Sequence, residues 1–224
     1  MEDHGQTYTM RIFIGYDDRI PMASDVLEYT LRKHSSIPLD IKLLKIKELG
    51  LNREDPLAST QFTFSRFLVP YLCNYDGLAL FLDNDMVCMS DIKEIFDLDM
   101  SNYALRVVKH NHIPTVEVKM DGKIQTSYPR KNWSSMMLMN CAKLKCWTRE
   151  AIETMSPSWL HRFEPIQDAQ IGGLPPNWNV LDEDVDNNTK LWHMTTGAPY
   201  FDKYADMPNA LIWYKAFYDM IYKR

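Results

Sequence analysis

The most constraining feature of the sequence is a run of five apolar residues that ends in an acidic triplet. Leu78–Leu82 is followed at once by Asp83, Asn84 and Asp85. A continuous apolar run of this length is typical of a strand with both faces buried, as in the sheets of α/β proteins. Ligands of such sheets bind beyond the carboxyl ends of the strands. Two carboxylates placed there can bind a hard divalent cation such as Mg²⁺ or Mn²⁺.

Other D-x-D triplets occur in the chain, but none follows a buried strand. They are Asp97/Asp99, Asp182/Asp184 and Asp184/Asp186. The first follows an apparent helix end. The other two overlap in a segment that is similar to a calcium-binding loop. That loop is not expected here, because Asn187 stands where glycine is needed and His193 where glutamate is needed. The pair Asp83 and Asp85 is therefore the candidate metal site.

Strand and helix patterns alternate through the first half of the chain. This alternation predicts an α/β fold with a mixed, mostly parallel central sheet flanked by helices. We expect strands at 10–16, 40–46, 78–82, 103–108 and 136–140, and helices at 21–34, 63–73, 141–155 and from 208 onward. Asp121-Gly122, between 116–118 and 124–126, predicts a hairpin. No linker or repeat divides the chain, so we expect one domain over residues 1–224.

Composition excludes several classes of function. Glycine occurs only 8 times, and neither G-x-G-x-x-G nor G-x-x-x-x-G-K-[ST] is present, so a glycine-rich phosphate loop is not expected. The chain has 25 basic and 30 acidic residues and a net charge of −5, which argues against a nucleic-acid partner.

The sequence also lacks the signals of a membrane or secreted protein. The sequence contains no run of about 18 apolar residues, so no membrane span is predicted. The acidic N-terminus does not resemble a signal peptide. The four cysteines show no C-x-x-C spacing, which is typical of buried thiols in a reducing compartment. We therefore expect a cytoplasmic location.

The surroundings of the acidic triplet resemble a known enzyme family. Residues 81–87 are similar to the D-x-D core of the GT-A-fold glycosyltransferases, particularly the family-eight-like enzymes. Residues 65–70 resemble the arginine-containing helix before that core, 12–17 the first strand, and 193–200 the C-terminal histidine segment. Further segments are similar to a bacterial and viral branch of these enzymes, at 131–136, 160–163, 171–175 and 178–179. The match extends over residues 11–201.

This resemblance implies a single GT-A domain, with the Rossmann-like fold of nucleotide-diphospho-sugar transferases. It implies a nucleotide-diphosphate sugar as the donor, in particular a UDP-sugar, and transfer with retention of the anomeric configuration. It also implies that Asp83, Asp85 and His193 bind Mn²⁺ or Mg²⁺, which in turn holds the diphosphate. An imidazole in the ligand set favours Mn²⁺.

The resemblance further implies roles for residues that would bind the donor. Tyr16 is expected to stack on the base, and Asp17 to accept a hydrogen bond from the base or the ribose. Arg66 is expected to pair with Asp83 or to reach the donor sugar. The other residues expected to bind the donor or line its pocket are Asn84, Asn132, Trp133 and Ser134.

Asp168 is the candidate for the residue that faces the anomeric carbon, and Gln167 is the competing candidate. In the family a carboxylate or carboxamide near this point lies beneath the donor sugar. There it would stabilise positive charge on the sugar, or orient the acceptor, rather than form a covalent bond.

Two other interpretations stay open at this point. A nucleotidyltransferase of similar fold also places a carboxylate-bound Mg²⁺ at a strand end, although residues 15–19 lack its glycine-rich basic loop. A non-catalytic carbohydrate-binding module is an alternative of another class, and it would be expected to lack the metal ligands. For a transferase, the partners are a nucleotide sugar and an acceptor that is a glycan, a lipid or a protein. The sequence leaves the oligomeric state open.

Overall fold

The centre of the fold is a six-stranded mixed sheet. The structure is a computed structural model that describes residues 9–53, 58–111, 129–182 and 184–223. The strands within these residues are β1 Met10–Gly15, β2 Leu39–Leu44, β3 Leu78–Leu82, β4 Met86–Cys88, β5 Leu105–Val107, β6 Met136–Asn140, β7 Ile171–Gly173, β8 Val180–Leu181 and β9 Leu191–His193.

The direction of the strands agrees with the sequence-based prediction. The order in the central sheet is β2-β1-β3-β6-β5-β7. Strand β1 pairs in parallel with both β2 and β3, and β5 pairs in parallel with β7. Strand β6 runs antiparallel to its neighbours β3 and β5. All strands of this sheet except β6 therefore point the same way, which confirms the mixed, mostly parallel α/β fold.

A second, three-stranded sheet in the order β4-β9-β8 holds the histidine segment beside the acidic triplet. The triplet is the connection between β3 and β4. Strand β4 pairs antiparallel with β9, and Met86 lies opposite His193. The N–H of Met194 donates to the carbonyl oxygen of Asp85 over 3.0 Å. Backbone hydrogen bonds thus set the distance between His193 and the triplet.

Strand β3 is apolar at every position because both of its faces are covered. Ala79 and Phe81 pack into a hydrophobic cluster on one side of the sheet, and Leu80 and Leu82 into another cluster on the opposite side. All four side chains are fully buried. A polar side chain within the strand would lose its hydrogen bonds to water, so the first polar residues come where the strand ends.

Helices of very different length surround the sheets. Those within the described residues are α1 Pro21–His34, α2 Ile46–Leu49, α3 Val69–Leu72, α4 Lys93–Phe96, α5 Arg149–Thr154, α6 Pro157–His161 and α7 Ala210–Tyr222. Short 3-10 helices are found at Ser65–Leu68, Trp133–Ser135, Cys141–Lys143, Asp168–Gln170, Pro176–Trp178 and Asp202–Tyr204. Helix α1 begins at Pro21, whose fixed φ suits a first helical position. Helix α7 is joined to α1 by an ion pair of 3.0 Å between Lys33 and Asp219.

The predicted helix over 141–155 is wrong as a single element. The structure has a 3-10 turn at Cys141–Lys143 and then α5, which starts eight residues after Cys141. The break occurs because Thr148 starts a new helix: its side chain accepts a hydrogen bond from the N–H of Ala151 at 3.0 Å.

The predicted helix over 63–73 is present in a different form. A 3-10 helix at Ser65–Leu68 continues into α3, in which Pro70 lies in the first turn. Proline has no N–H to donate to the preceding turn, so the α-helical hydrogen-bond pattern can begin only here. The hairpin predicted over 116–126 lies outside the described residues.

We expect Leu80→Ala to destabilise the protein by about 2–5 kcal/mol, because it leaves a cavity beside the central strand. Leu80 is fully buried, whereas Leu211 on α7 is 80% exposed. Leu211→Ala, the matched control, should change the free energy of unfolding by less than about 0.5 kcal/mol. Urea denaturation measures both effects, and equal effects would contradict the packing described for β3.

The ion pairs of Asp219 should make part of the stability sensitive to acid. Hydrogen bonds from Lys223 and Lys33 lower the pKa of this carboxyl from 3.8 to about 2. A carboxyl whose pKa is lowered on folding stabilises the protein fully above its unfolded pKa, and this contribution disappears as the pH falls through the folded pKa. We therefore expect the free energy of unfolding of the wild type to decline between about pH 4 and about pH 2, and Asp219→Asn to weaken that decline.

Chemical denaturation at a series of pH values measures this difference. Asp206→Asn is the control, because Asp206 is exposed and makes no ion pair within the described part of the chain. An Asp219→Asn profile parallel to that of the wild type down to about pH 2 would show that the ion pairs contribute no stability.

Candidate active site

Asp83, Asp85 and His193 lie together at the end of β3. One ligand atom from each side chain lies within 4.8 Å of the others. The Nε2 atom of His193 is 3.3 Å from Oδ1 of Asp85 and 4.0 Å from Oδ2 of Asp83. His193 comes from β9, more than a hundred residues along the chain, and is buried. The structure therefore brings together the three residues that the resemblance implies as metal ligands.

A chain of hydrogen bonds sets the orientation of the His193 ring. The Ser135 hydroxyl donates to the carbonyl oxygen of Asn132 over 2.7 Å, and it accepts a bond of 2.9 Å from Nδ2 of Asn179. The Oδ1 atom of Asn179 therefore faces His193 and accepts from its Nδ1–H over 2.9 Å. Nε2 is left with its lone pair directed at the carboxylates, as in a histidine that binds a metal.

The charge around His193 favours a cation. Burial lowers the pKa of this imidazole, but the carboxylates of Asp85 and Asp83 raise it, and the net shift is upward. Positive charge between the three side chains is therefore stabilised. Two carboxylates and one imidazole nitrogen fit a divalent ion, and Mn²⁺ accepts the nitrogen more readily than Mg²⁺ does.

Arg66 is a buried cation beside this group. Its Nη1 atom is 2.9 Å from Oδ1 of Asp83 and donates to the carbonyl oxygen of Ser134 at 2.9 Å. The guanidinium lies over the rings of Phe62 and Phe81, with centroid distances of 5.3 and 5.0 Å. Arg66 thus keeps the carboxylate of Asp83 in one orientation and offsets part of its charge.

The acidic group opens into a cavity of about 570 Å³. The predicted site residues that line it are Asp17, Arg66, Asp83, Asn84, Asp85, Asn132, Ser134 and His193. This volume lies within the range of pockets that bind nucleotides and other small molecules. Two of these lining residues, Asn84 and Asn132, have a buried Nδ2 that makes no hydrogen bond within the described residues, so each has a hydrogen bond to donate to a ligand.

Asp17 lines this cavity as part of an ion pair. Its carboxylate accepts hydrogen bonds from the backbone N–H and the guanidinium of Arg19, and from the N–H of Gln61. Burial raises the pKa of Asp17, but the hydrogen bonds from Arg19 and Gln61 and the charge of Arg19 together outweigh this effect. The net shift of the pKa is downward, so the carboxyl stays ionised. The pair presents a fixed charge distribution at the end of β1.

Four predicted site residues do not line the cavity. The Tyr16 ring lies beneath Nζ of Lys45 at 5.4 Å, and Nε1 of Trp133 donates to the carbonyl oxygen of His110 over 2.9 Å. Gln167 is exposed. Asp168 has a side chain that is 87% exposed and pairs with Arg130. The structure thus does not bring Asp168 or Gln167 to the metal ligands.

Two features of the site were not predicted from the sequence, and of these only His161 lines the cavity. Asn179 was not among the candidate residues, although it lies in a segment that resembles the family. The other feature is His161 at the end of α6, whose Nδ1 lies 3.0 Å from the hydroxyl of Ser134. His161 packs edge-on against Phe67, with ring centroids 5.1 Å apart. No short sequence spacing links these residues to the acidic triplet, and only the fold shows their role.

Comparison with known proteins agrees with this geometry. A model of glycosyl transferase family 8 matches residues 25–212, which include the acidic triplet and the histidine. The chain belongs to glycosyltransferase family 8. Protein CDI of Arabidopsis thaliana is 42% identical to this family 8 member over 217 residues, covering 91% of the chain and 84% of that protein. The resemblance inferred from the D-x-D segment is confirmed.

Solved glycosyltransferase structures share the fold. GlyE of Streptococcus pneumoniae TIGR4 has a TM-score of 0.60 at 14% identity over 93% of this chain, which spans 60% of GlyE. Galactosyltransferase LgtC, solved with donor and acceptor sugar analogs, has a TM-score of 0.57 at 14% identity and covers 94% of this chain and 96% of its own. At such low sequence identity these similarities are evidence for the fold alone, and they confirm the GT-A fold.

Family membership decides between the interpretations that the sequence left open. The family 8 enzyme is a glycosyltransferase, which excludes the nucleotidyltransferase interpretation. A non-catalytic binding module would be expected to have lost the metal ligands, and here all three converge.

We expect Asn179→Ala to weaken Mn²⁺ binding by about 10- to 100-fold, because His193 would lose the partner that orients its ring. Asn177→Ala is the matched control, since Asn177 donates to the carbonyl oxygen of Asn188 and does not line the cavity. Calorimetric titration with Mn²⁺ measures both variants. Wild-type affinity in Asn179→Ala would show that this hydrogen-bond chain does not orient the ligand.

Proposed function

We propose that the protein transfers a sugar from a UDP-sugar to a hydroxyl group of an acceptor, with Mn²⁺ as the preferred cation and with retention of the anomeric configuration. The observation that carries this proposal is the convergence of Asp83, Asp85 and His193 at one wall of the 570 Å³ cavity. Family membership supports sugar transfer as the reaction, and the resemblance supports UDP and retention.

The chemistry explains why these ligands are needed. When the bond between sugar and phosphate breaks, negative charge develops on the leaving diphosphate. A divalent cation bound by the three side chains would supply the positive charge that stabilises this group. Asp83 and Asp85 provide the negative charge that retains such an ion, and His193 offers Nε2 as a neutral ligand. The glycine-poor chain needs no phosphate-binding loop of backbone amides.

Arg66 supports the reaction from below the metal ligands. It pairs with Oδ1 of Asp83, while Oδ2 of the same carboxylate lies 4.0 Å from Nε2 of His193. Its Nε atom is buried and makes no hydrogen bond within the described residues. This N–H is therefore suited to an oxygen atom of the donor, which is the second role expected for Arg66.

The remaining walls of the cavity are suited to the other parts of the donor. The Asp17–Arg19 pair at the end of β1 offers polar groups for the nucleoside. The unpartnered amides of Asn84 and Asn132 are hydrogen-bond donors for ribose or sugar oxygens. Ser134 would contact the sugar together with its partner His161. Tyr16 and Trp133 stay predictions as donor contacts.

Asp168 and Gln167 stay predictions as the groups that face the anomeric carbon. Asp168 would have to leave its ion pair with Arg130 to do so. In that role its carboxylate would stabilise positive charge on the sugar or orient the acceptor hydroxyl.

The acceptor is a glycan, a lipid or a protein in this proposal. Within the described residues no helix is long and apolar enough to cross a membrane. A cytoplasmic location and a single catalytic domain over residues 1–224 stay predictions.

A panel of nucleotide sugars with Mn²⁺ tests the proposal, scored by release of nucleoside diphosphate with and without candidate acceptors. We expect Asp85→Asn to lower acceptor-dependent release about 100-fold or more, the scale seen when one charge-stabilising group is lost. Asp97→Asn is the matched control, because Asp97 belongs to a different D-x-D triplet and pairs with Lys93 on the surface. No release by the wild type with any donor would contradict the proposal, as would full activity in Asp85→Asn.

A further inference from the structure

Tyr200 places a buried hydroxyl on the wall of the cavity. Its side chain is one of those that line the cavity. Its oxygen is buried and makes no hydrogen bond within the described residues. A buried polar group without a partner costs free energy, and such groups in native proteins are commonly satisfied by a ligand or a water molecule. The hydroxyl is therefore available to a bound molecule.

The surroundings of Tyr200 keep its ring in place. The ring packs against Trp213 of α7 with centroids 5.4 Å apart, and against Phe201 at 4.9 Å. The hydroxyl of Tyr214 donates to the carbonyl oxygens of Pro199 and Ala205, at 3.0 and 3.2 Å. Helix α7 thus fixes both the ring and the backbone around it.

The charges nearby define what the hydroxyl can bind. Burial raises the pKa of Tyr200 well above its usual value, and the carboxylates of Asp85 and Asp17 raise it further. The group therefore stays protonated and can donate a hydrogen bond. Within the described residues it donates to neither carboxylate, so its proton is left for an acceptor oxygen of a bound molecule.

The position of Tyr200 indicates which part of the ligand this is. Asp85 belongs to the metal ligands, and Asp17 lies at the end of β1, where the nucleoside is expected. Asp17, Asp85 and Tyr200 line the same cavity. When a cation binds the phosphates of a nucleotide, the phosphate groups lie between the nucleoside and the cation.

We propose that the Tyr200 hydroxyl donates a hydrogen bond to a phosphate oxygen of the bound nucleotide. This inference rests on the proposed function, because it takes a nucleoside diphosphate as the leaving group. Tyr200 would then be a neutral hydrogen-bond donor to the diphosphate, in addition to the cation held by the acidic residues. Packing against Trp213 would couple the C-terminal helix to nucleotide binding.

The test is Tyr200→Phe, which keeps the ring and its packing and removes only the hydroxyl. We expect UDP in the presence of Mn²⁺ to bind about tenfold or more weakly, because hydrogen bonds to charged groups are stronger than neutral ones. Affinity for Mn²⁺ alone should not change, since Tyr200 is not a ligand. Calorimetry measures both affinities, and thermal unfolding without ligand verifies that the variant is folded. Tyr218→Phe, on the exposed side of α7, should bind UDP as the wild type does.

Uridine, which lacks phosphates, identifies the part of the nucleotide that Tyr200 contacts. Its affinity, measured by competition with UDP, should be the same in Tyr200→Phe and in the wild type. Equal losses for uridine and UDP would place the contact on the base or ribose and overturn the inference. Unchanged UDP affinity in Tyr200→Phe would also overturn it while leaving the proposed function intact. Failure of the wild type to bind any nucleoside diphosphate with Mn²⁺ would instead overturn both.

Discussion

Two carboxylates that repel each other are held close together at the junction of two sheets, and the rest of the site is arranged around their charge. Asp83 ends the buried strand β3, and Asp85 precedes β4. Arg66 offsets part of the charge from inside the fold, and His193 faces both carboxylates from β9. Positive charge at the centre of this arrangement relieves the repulsion between the carboxylates, which is why we propose that it binds a divalent cation.

The same constraint explains how the chain handles phosphate with few glycines. Backbone amides of a glycine-rich loop are one way to neutralise a diphosphate, and a metal ion on acidic side chains is another. We propose that this protein has the second kind of site, supplemented by side-chain donors that have no partner within the described residues. Asn84, Asn132 and Tyr200 each have such a donor, and all three residues line the cavity. A lining of donors and a cation is complementary to a ligand rich in oxygen acceptors.

Much of the fold could be predicted from the sequence because its signals are local. The apolar run of β3 predicts a strand buried on both faces, and Pro21 predicts the start of α1. The helix expected over 141–155 was wrong, because a capping threonine in the middle outweighs the average helical propensity of the segment. The three residues proposed as metal ligands could be selected from a motif, whereas Asn179 and His161 were missed because their partners are distant in sequence.

The sequence by itself determined that an acidic pair stands at the end of a buried strand, because an apolar run and its end are patterns of consecutive residues. The sequence also indicated the family, because several short segments resemble those of its members. Only the tertiary structure decided which residues meet there. The pairing of β4 with β9 brings His193 to Asp85, and α7 packs against Tyr200 in the wall of the cavity. Tertiary packing also left Asp168 at the surface. Contacts of this kind depend on register and packing between distant segments, which local patterns do not specify.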